Sequence, residues 1–144
     1  MMLDAAWAFD ATPKTVTATG NSTNVNDQGS AKKLFDGTGR IPFRISGFYK
    51  GNSGTNPTIR VQFVGADDAA LTSNVLVIAD TGVSPVLSAG VLVPFELVPQ
   101  LQTAAKRFYG LIYTLAGTTP NIDVMAVGVL DGQSAYPAQK AAVP

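Results

Sequence analysis

Ile41–Tyr49 reads IPFRISGFY and Thr58–Val64 reads TIRVQFV. In the first stretch Ile41, Phe43, Ile45 and Tyr49 point one way and Arg44, Ser46 and Lys50 the other. In the second, Ile59, Val61 and Phe63 alternate with Arg60 and Gln62. Alternation with a period of two is the mark of a half-buried β-strand, and two such runs in succession set the fold class. The GNSGTNP run between them, Gly51–Pro57, has loop composition, so the pair predicts a long hairpin. Pro42 has no N–H to give a ladder, which predicts that this strand starts at a sheet edge.

Working outward, the same signature recurs. KTVTAT at Lys14–Thr19 predicts a short strand, and the polar stretch Gly20–Lys33 a loop. NVLVIA at Asn74–Ala79 is apolar throughout, as suits a strand covered on both faces. VLVPFELV at Val91–Val98 places Val91, Val93, Phe95 and Leu97 on one face, with Pro94 arguing for an edge or a bulge. Gln100–Ala116 carries a helical stripe. However, Phe108–Thr114 is mostly aromatic and β-branched and contains Gly110, so Arg107–Leu115 is read as a strand and Leu101–Ala105 as a turn or short helix. Gly117–Pro120 is then a hairpin loop and Ile122–Leu130 the returning strand. That last hairpin is apolar on both faces, Tyr109, Leu111, Tyr113 and Leu115 on one, Phe108 and Ile112 on the other. Its outer face therefore needs a cover, either the N-terminal arm with Trp7 and Phe9 or a second subunit.

Glycine (14) and proline (9) fall at intervals between these runs, the spacing of a sandwich or barrel. The expectation is an all-β, single-domain protein over 1–144, an antiparallel two-sheet β-sandwich of seven or eight strands with jelly-roll or immunoglobulin-like topology. Residues 1–13 are expected to form an N-terminal arm and 132–144 an extended C-terminal tail.

Composition removes whole classes of chemistry. There is no cysteine and no histidine, so disulfides, thiolate metal sites and the usual neutral-pH base are missing. Lys plus Arg equals Asp plus Glu at 10 each, and neither Lys32-Lys33 nor Lys106-Arg107 grows into a patch, which argues against nucleic acid. No apolar run approaches a membrane helix, and Met1–Phe9 lacks the basic start of a signal peptide, so a soluble protein made in a cytoplasm is expected. Charged residues make up only 14% of the chain, against about 25% in an average domain; a weakly charged surface associates easily.

No catalytic, cofactor or metal site is expected. Without His or Cys only Ser–Lys or Thr–Lys pairs could make a nucleophile, and Lys14-Thr15 and Ser30-Ala31-Lys32 have nothing to position them. Glu96 is the only glutamate, and the aspartates sit mostly beside turn formers. Asp67-Asp68 could be half of a calcium site, but without D-x-D-x-D-G spacing a turn is the better reading. Asp36–Arg40 (DGTGR) precedes an alternating strand rather than a helix, so it too is a turn. Phe48, Tyr49, Tyr109 and Tyr113 could stack a sugar, although strand aromatics more often belong to a core or an interface.

The order of these segments resembles a family. A Ser-Thr-Asn loop at Asn21–Asn24 is followed by Leu34–Arg40, the Ile41–Tyr49 strand and VQFVGADD at Val61–Asp68. Then come Leu92–Pro99, RFYGLIYTLAGT at Arg107–Thr118 and a closing strand ending VGVLDGQS at Val127–Ser134. From about Asp10 to Gln133 this layout is similar to the small cement, or decoration, proteins that coat the heads of tailed bacteriophages. The resemblance implies a non-enzymatic jelly roll on the outer capsid surface of the virion. It would bridge neighbouring major capsid protein subunits and act as a small homo-oligomer, a dimer rather than a trimer. Leu3, Trp7 and Phe9 of the arm and Tyr109 and Tyr113 are the candidate contacts, with self-association expected through the last hairpin. Core packing is the competing role for Trp7 and for both tyrosines. The rival function is a carbohydrate- or receptor-binding sandwich, for instance a fibre module.

Overall fold

The computed structural model describes residues 2–3, 7–35 and 43–130. The expected turn at Asp36–Arg40, Pro42 and the expected tail 132–144 lie outside these residues. The described chain is all β: β1 (Met2–Leu3), β2 (Asp10–Val16), β3 (Gly20–Asn21), β4 (Asn26–Lys32), β5 (Phe43–Ala66), β6 (Leu76–Asp80), β7 (Leu92–Leu97) and β8 (Lys106–Leu130). Two strands dominate. β5 and β8 run antiparallel and stay paired from Phe43↔Leu130 to Ala66↔Phe108.

The two expected hairpins are therefore absent. Ser53 still pairs with Asn121 and Thr55 with Thr118, through three register shifts between Gly51 and Thr58. The residues that looked like loops are bulges at which both strands bend together. Gly54 (φ 111°), Asn56 (φ 51°), Gly117 (φ 109°) and Thr119 (φ 47°) take left-handed backbone there. The strands also touch at the bend: a Cβ on Gly117 would lie 2.6 Å from the Asn56 carbonyl oxygen, and one on Gly54 would lie 2.7 Å from that of Thr119. A bulge and a turn use the same residue types, so composition could not separate them.

The bend divides the β5–β8 ribbon between two sheets. The first runs β2–β8–β5–β7, using Ile122–Ala126 of β8 against β2 and Ile45–Lys50 of β5 against β7; β1 extends its β8 edge. The second uses the other halves: β3 and β4 lie on β8 at Lys106–Tyr113, and β6 on β5 at Gln62–Gly65. Counted as eight half-strands in chain order, the sheets run first-eighth-third-sixth and second-seventh-fourth-fifth, which is the jelly-roll order. Between β6 and β7 the chain continues along β5 through Thr81 N→Val61 O (3.0 Å), Ser84 N→Ile59 O (2.8 Å) and Leu87 N→Pro57 O (2.9 Å).

The inner faces meet in one core. Ile45, Tyr49, Ile122, Val124, Phe95 and Leu97 of the first sheet join Ile59, Val61, Phe63, Tyr109, Leu111 and Tyr113 of the second. Phe43 approaches Phe63 across the gap with ring centroids 6.3 Å apart.

Several boundaries differ from the sequence reading. The supposed arm 1–13 contains β1 and the start of β2, which runs into the expected Lys14–Thr19 strand, and the supposed loop Gly20–Lys33 contains β3 and β4, whose exposed edge position allows a polar sequence. The apolar 74–79 run is the edge strand β6, with Val77 exposed rather than covered on both faces. β5 is interior from Ile45 onward, because it pairs with both Leu97 and Gly128. β7 is an edge strand, where Pro94 is tolerated. Leu101–Ala105 is irregular and not helical. Its Gln102 is buried and serves as a tie: the side-chain oxygen accepts from Leu34 N (2.9 Å), and the amide nitrogen donates to Ala104 O (2.6 Å) and Tyr109 Oη (2.7 Å).

Candidate interaction surfaces

The residues singled out as contacts belong mostly to the interior. Tyr109 and Tyr113 are 0% exposed, so they are core side chains and not outward aromatics. Strand face decided this: both lie on the inner face of β8 with Leu111. Each hydroxyl has a buried use. Tyr109 Oη donates to Lys32 O at 2.6 Å, tying β4 to the core. Tyr113 Oη donates to Asp10 Oδ2 at 2.7 Å, tying β2 in one sheet to β8 in the other. Burial pushes both phenols above their ordinary pKa of 10.0, and for Tyr113 the Asp10 carboxylate adds to the rise.

Phe9 is buried and Trp7 half-buried, both against their own domain. The Trp7 ring lies 5.0 Å from Phe43, 5.9 Å from Phe9 and 6.2 Å from both Phe63 and Tyr109, centroid to centroid. The aromatic group closes one end of the sandwich. Gly128 provides the seat: a Cβ there would come within 2.5 Å of Trp7 Cβ and 2.7 Å of the Phe43 ring. Leu3 pairs with Val129 through β1; its side chain lies outside the described residues.

The second apolar face of β8 is covered from an unexpected direction. Val64 and Ala66 of β5, with Phe108 and Ile112 of β8, form a cluster on the outer face of the second sheet. Leu71, from the turn after β5, and Val25, from before β4, sit over it. Leu71 and Val25 thus cover part of this face, and Phe108 and Ile112 stay partly exposed.

The solvent-facing apolar surface is elsewhere. Among the described residues the exposed large hydrophobics are Val75, Val77, Val83, Val86, Val91, Leu92, Val98 and Leu101, all on the segment that runs along the free edge of β5. Val83 at 66% and Leu101 at 68% are the most open. Where the edge strands β6 and β7 face each other they leave a groove of about 480 Å³, lined by Val77–Asp80 and by Glu96, Leu97, Val98 and Gln100. Gln100 N donates to Ile78 O at 2.9 Å and closes part of the β6 edge. The sequence signal for this surface was present: Glu96 is the only charged residue between Thr81 and Ala105. Alternation marks which positions turn inward and does not show whether the outward ones stay open.

The charges flanking the groove are paired. Arg44 Nη1 meets Glu96 Oε2 at 2.7 Å. Arg60 grips Asp80 through Nε (2.9 and 3.0 Å) and Nη2, with Gln62 and the Gly82 N–H also donating to that carboxylate. This holds the Asp80 carboxyl down at about 2, with the Arg60 hydrogen bonds as the largest cause. Asp67 and Asp68 are spent in their turn: Asp68 accepts from Thr72 N (2.8 Å) and Ser73 N (2.9 Å), and Asp67 from Asn74 Nδ2 (2.8 Å). Among the described residues no three His, Cys, Asp or Glu gather as metal ligands. Of the aromatics weighed for sugar stacking, Tyr49 is buried and stacked on Phe95 at 5.6 Å, Tyr109 and Tyr113 are core, and Phe48 is half-buried.

No protein-family model matches this chain, and no curated protein does. Among solved structures it is similar to the N-terminal endo-1,4-β-D-xylanase 10B of Clostridium thermocellum, in the structure of its CBM22-1–GH10 modules complexed with xylohexaose. The TM-score is 0.45 and the identity 17%; the match covers 85% of this chain and 26% of that one, so the chain spans about a quarter of the xylanase chain. It is also similar to a protein from Bacillus endospore appendages, described as a novel family of disulfide-linked pili. There the TM-score is 0.29 and the identity 13%, with 90% of this chain and 96% of that chain covered. The jelly-roll assignment rests on the strand register alone.

Proposed function

We propose that this protein is a non-enzymatic cement protein of a tailed-phage head, bound to the outside of the shell and bridging neighbouring major capsid protein subunits. The observation that carries the reading is that the eight exposed large hydrophobics among the described residues, all Val or Leu, fall within one segment, Val75–Leu101, which contains β6 and β7. A surface of that kind suits contact with another protein. The family resemblance in segment order points to the shell as that protein, and the weak charge of the chain suits close packing against it.

The mechanism is physical. A shell under internal pressure fails where its subunits part. A protein seated across a seam adds apolar contact at about 25 cal/mol per Å² buried, and repetition over the lattice makes modest contacts add up. If the bound unit is a dimer, as the resemblance suggests, two linked footholds slow its release further.

Sedimentation with bare mature capsids tests the reading. Saturable co-sedimentation at a fixed ratio to the coat subunit is expected, with apparent affinity reduced at least about tenfold in a Val86→Lys, Leu92→Lys variant, because each lysine must be desolvated in the contact. Absence of co-sedimentation by the folded wild-type protein overturns the proposal.

A further inference from the structure

The turn between β5 and β6 has the construction of a lid. Leu71 is 3% exposed, yet its backbone sits at φ 58°, and Asn74 follows at φ 49°. A bulky residue rarely adopts left-handed backbone unless its surroundings impose it. Here the imposing feature is a notch in the sheet below. Gly110 has no side chain, and a Cβ there would lie 2.8 Å from Leu71 Cδ1 and 3.3 Å from Val25 Cγ2.

Most of the turn's polar bonds are internal. Asp67 N donates to Ser73 O (3.0 Å) and Leu71 N to Asp68 O (3.2 Å); Asp68 accepts from Thr72 and Ser73, and Asp67 from Asn74. These bonds hold the shape of the turn whether or not it rests on the sheet. Among the described residues, two polar contacts tie it to the strands beneath: Asn21 Nδ2 to Ala70 O at 2.7 Å, and Lys106 Nζ to Asp67 Oδ1 at 3.6 Å. The side chains it covers, Val64, Ala66, Phe108 and Ile112, form a cluster separate from the main core.

We propose that the Asp67–Asn74 turn is a strained lid that lifts as a unit about Ala66 and Val75. Its opening bares the apolar outer face of the second sheet while the sandwich stays folded. Burial of Leu71 in the Gly110 notch and the ties to Asn21 and Lys106 favour closure, and with the turn's own bonds kept, opening breaks only those contacts. The lid would work as a local switch between a polar and an apolar outer face. It adjoins β6 at Val75 but does not depend on shell binding.

The chain has no cysteine, so single thiols report opening without background. Ala66, under the lid, and Ala126, in the main core, are both fully buried. With a neutral thiol reagent under native conditions, the Ala66→Cys variant is expected to label at least about a hundredfold faster than the Ala126→Cys variant, because only the first is reached by local opening. Labelling at the lid site should also be nearly independent of low urea. Adding Gly110→Ala, which pushes on the flexible end of Leu71, should raise it about tenfold further. Equal labelling of the two sites, each tracking global unfolding, overturns the proposal. Should a buried thiol unfold the chain, Leu71→Cys provides the same comparison from the lid itself, against global unfolding measured in urea.

Discussion

Asp10 shows how single residues hold this fold. Its carboxylate is 4% exposed and is met by the Tyr113 hydroxyl at 2.7 Å and by Thr23 N at 3.3 Å. Removing the hydroxyl leaves a buried carboxylate short of a donor, an omission that costs about 1–3 kcal/mol. Tyr113→Phe should lose that much in urea denaturation with an unchanged m value, since the same surface is exposed on unfolding. Asp80 makes a pH prediction. Its carboxyl is depressed from the ordinary 3.8 to about 2 by Arg60. A group that holds its charge more tightly when folded stabilises the fold above pH 3.8, and the contribution disappears as pH falls toward 2. Asp80→Asn should therefore lower the urea midpoint at pH 6 and flatten the decline between pH 4 and pH 2. Parallel acid limbs in the two proteins would refute the assignment. Both partners are partly open to water, so the effect is expected to be small beside that of Tyr113→Phe.

At the scale of elements, the bend in the β5–β8 ribbon decides the architecture. Gly117 combines φ 109° with a neighbour so close that any Cβ would meet the Asn56 carbonyl oxygen at 2.6 Å. Gly117→Ala should cost about 3 kcal/mol, from backbone strain and the forced separation of the two strands. An equivalent change at Gly82, also left-handed but with open space around its Cβ position, should cost less, and the difference isolates the steric part. Equal urea midpoints for the two variants would mean that the ribbon does not cross as tightly as the register requires. β7 shows a second device. Pro94 lies in an edge strand that leaves one side free, and the donor it lacks cannot recruit a foreign strand there.

For the whole molecule, charge and apolar surface are distributed in opposite ways. Among the described residues Arg44–Glu96, Lys50–Asp123, Arg60–Asp80, Lys106–Asp67 and Arg107–Asp27 form ion pairs, and with a net charge of zero the chain has no overall charge to steer a charged partner. Among the described residues the exposed large hydrophobics are instead concentrated in one segment, Val75–Leu101. Association is then governed by fit and desolvation. For that reason the lysine substitutions at Val86 and Leu92 are expected to act on shell retention, whereas changes at Trp7, Tyr109 or Tyr113 would act on folding. Trp7, a candidate contact as a residue of the expected arm, is half-buried and packs against the core through four ring neighbours.

The sequence by itself determined the class of this protein: all β, antiparallel and free of His and Cys chemistry. The alternation in β5 and β8 is local, and composition needs no coordinates. It also located the points where the chain departs from straight strands, at 51–57 and 117–120. Whether those points were turns or bulges depended on what lies across them, since Gly and Asn serve both, and only the continuous β5–β8 pairing decided for a jelly roll over separate hairpins. The same limit governed the candidate contacts. Alternation shows that Tyr109 and Tyr113 share a face, but the face that looks inward is set by the partner sheet. The cover over Phe108 and Ile112 comes from Leu71, some forty residues earlier in the chain, through a long-range contact that no local pattern encodes.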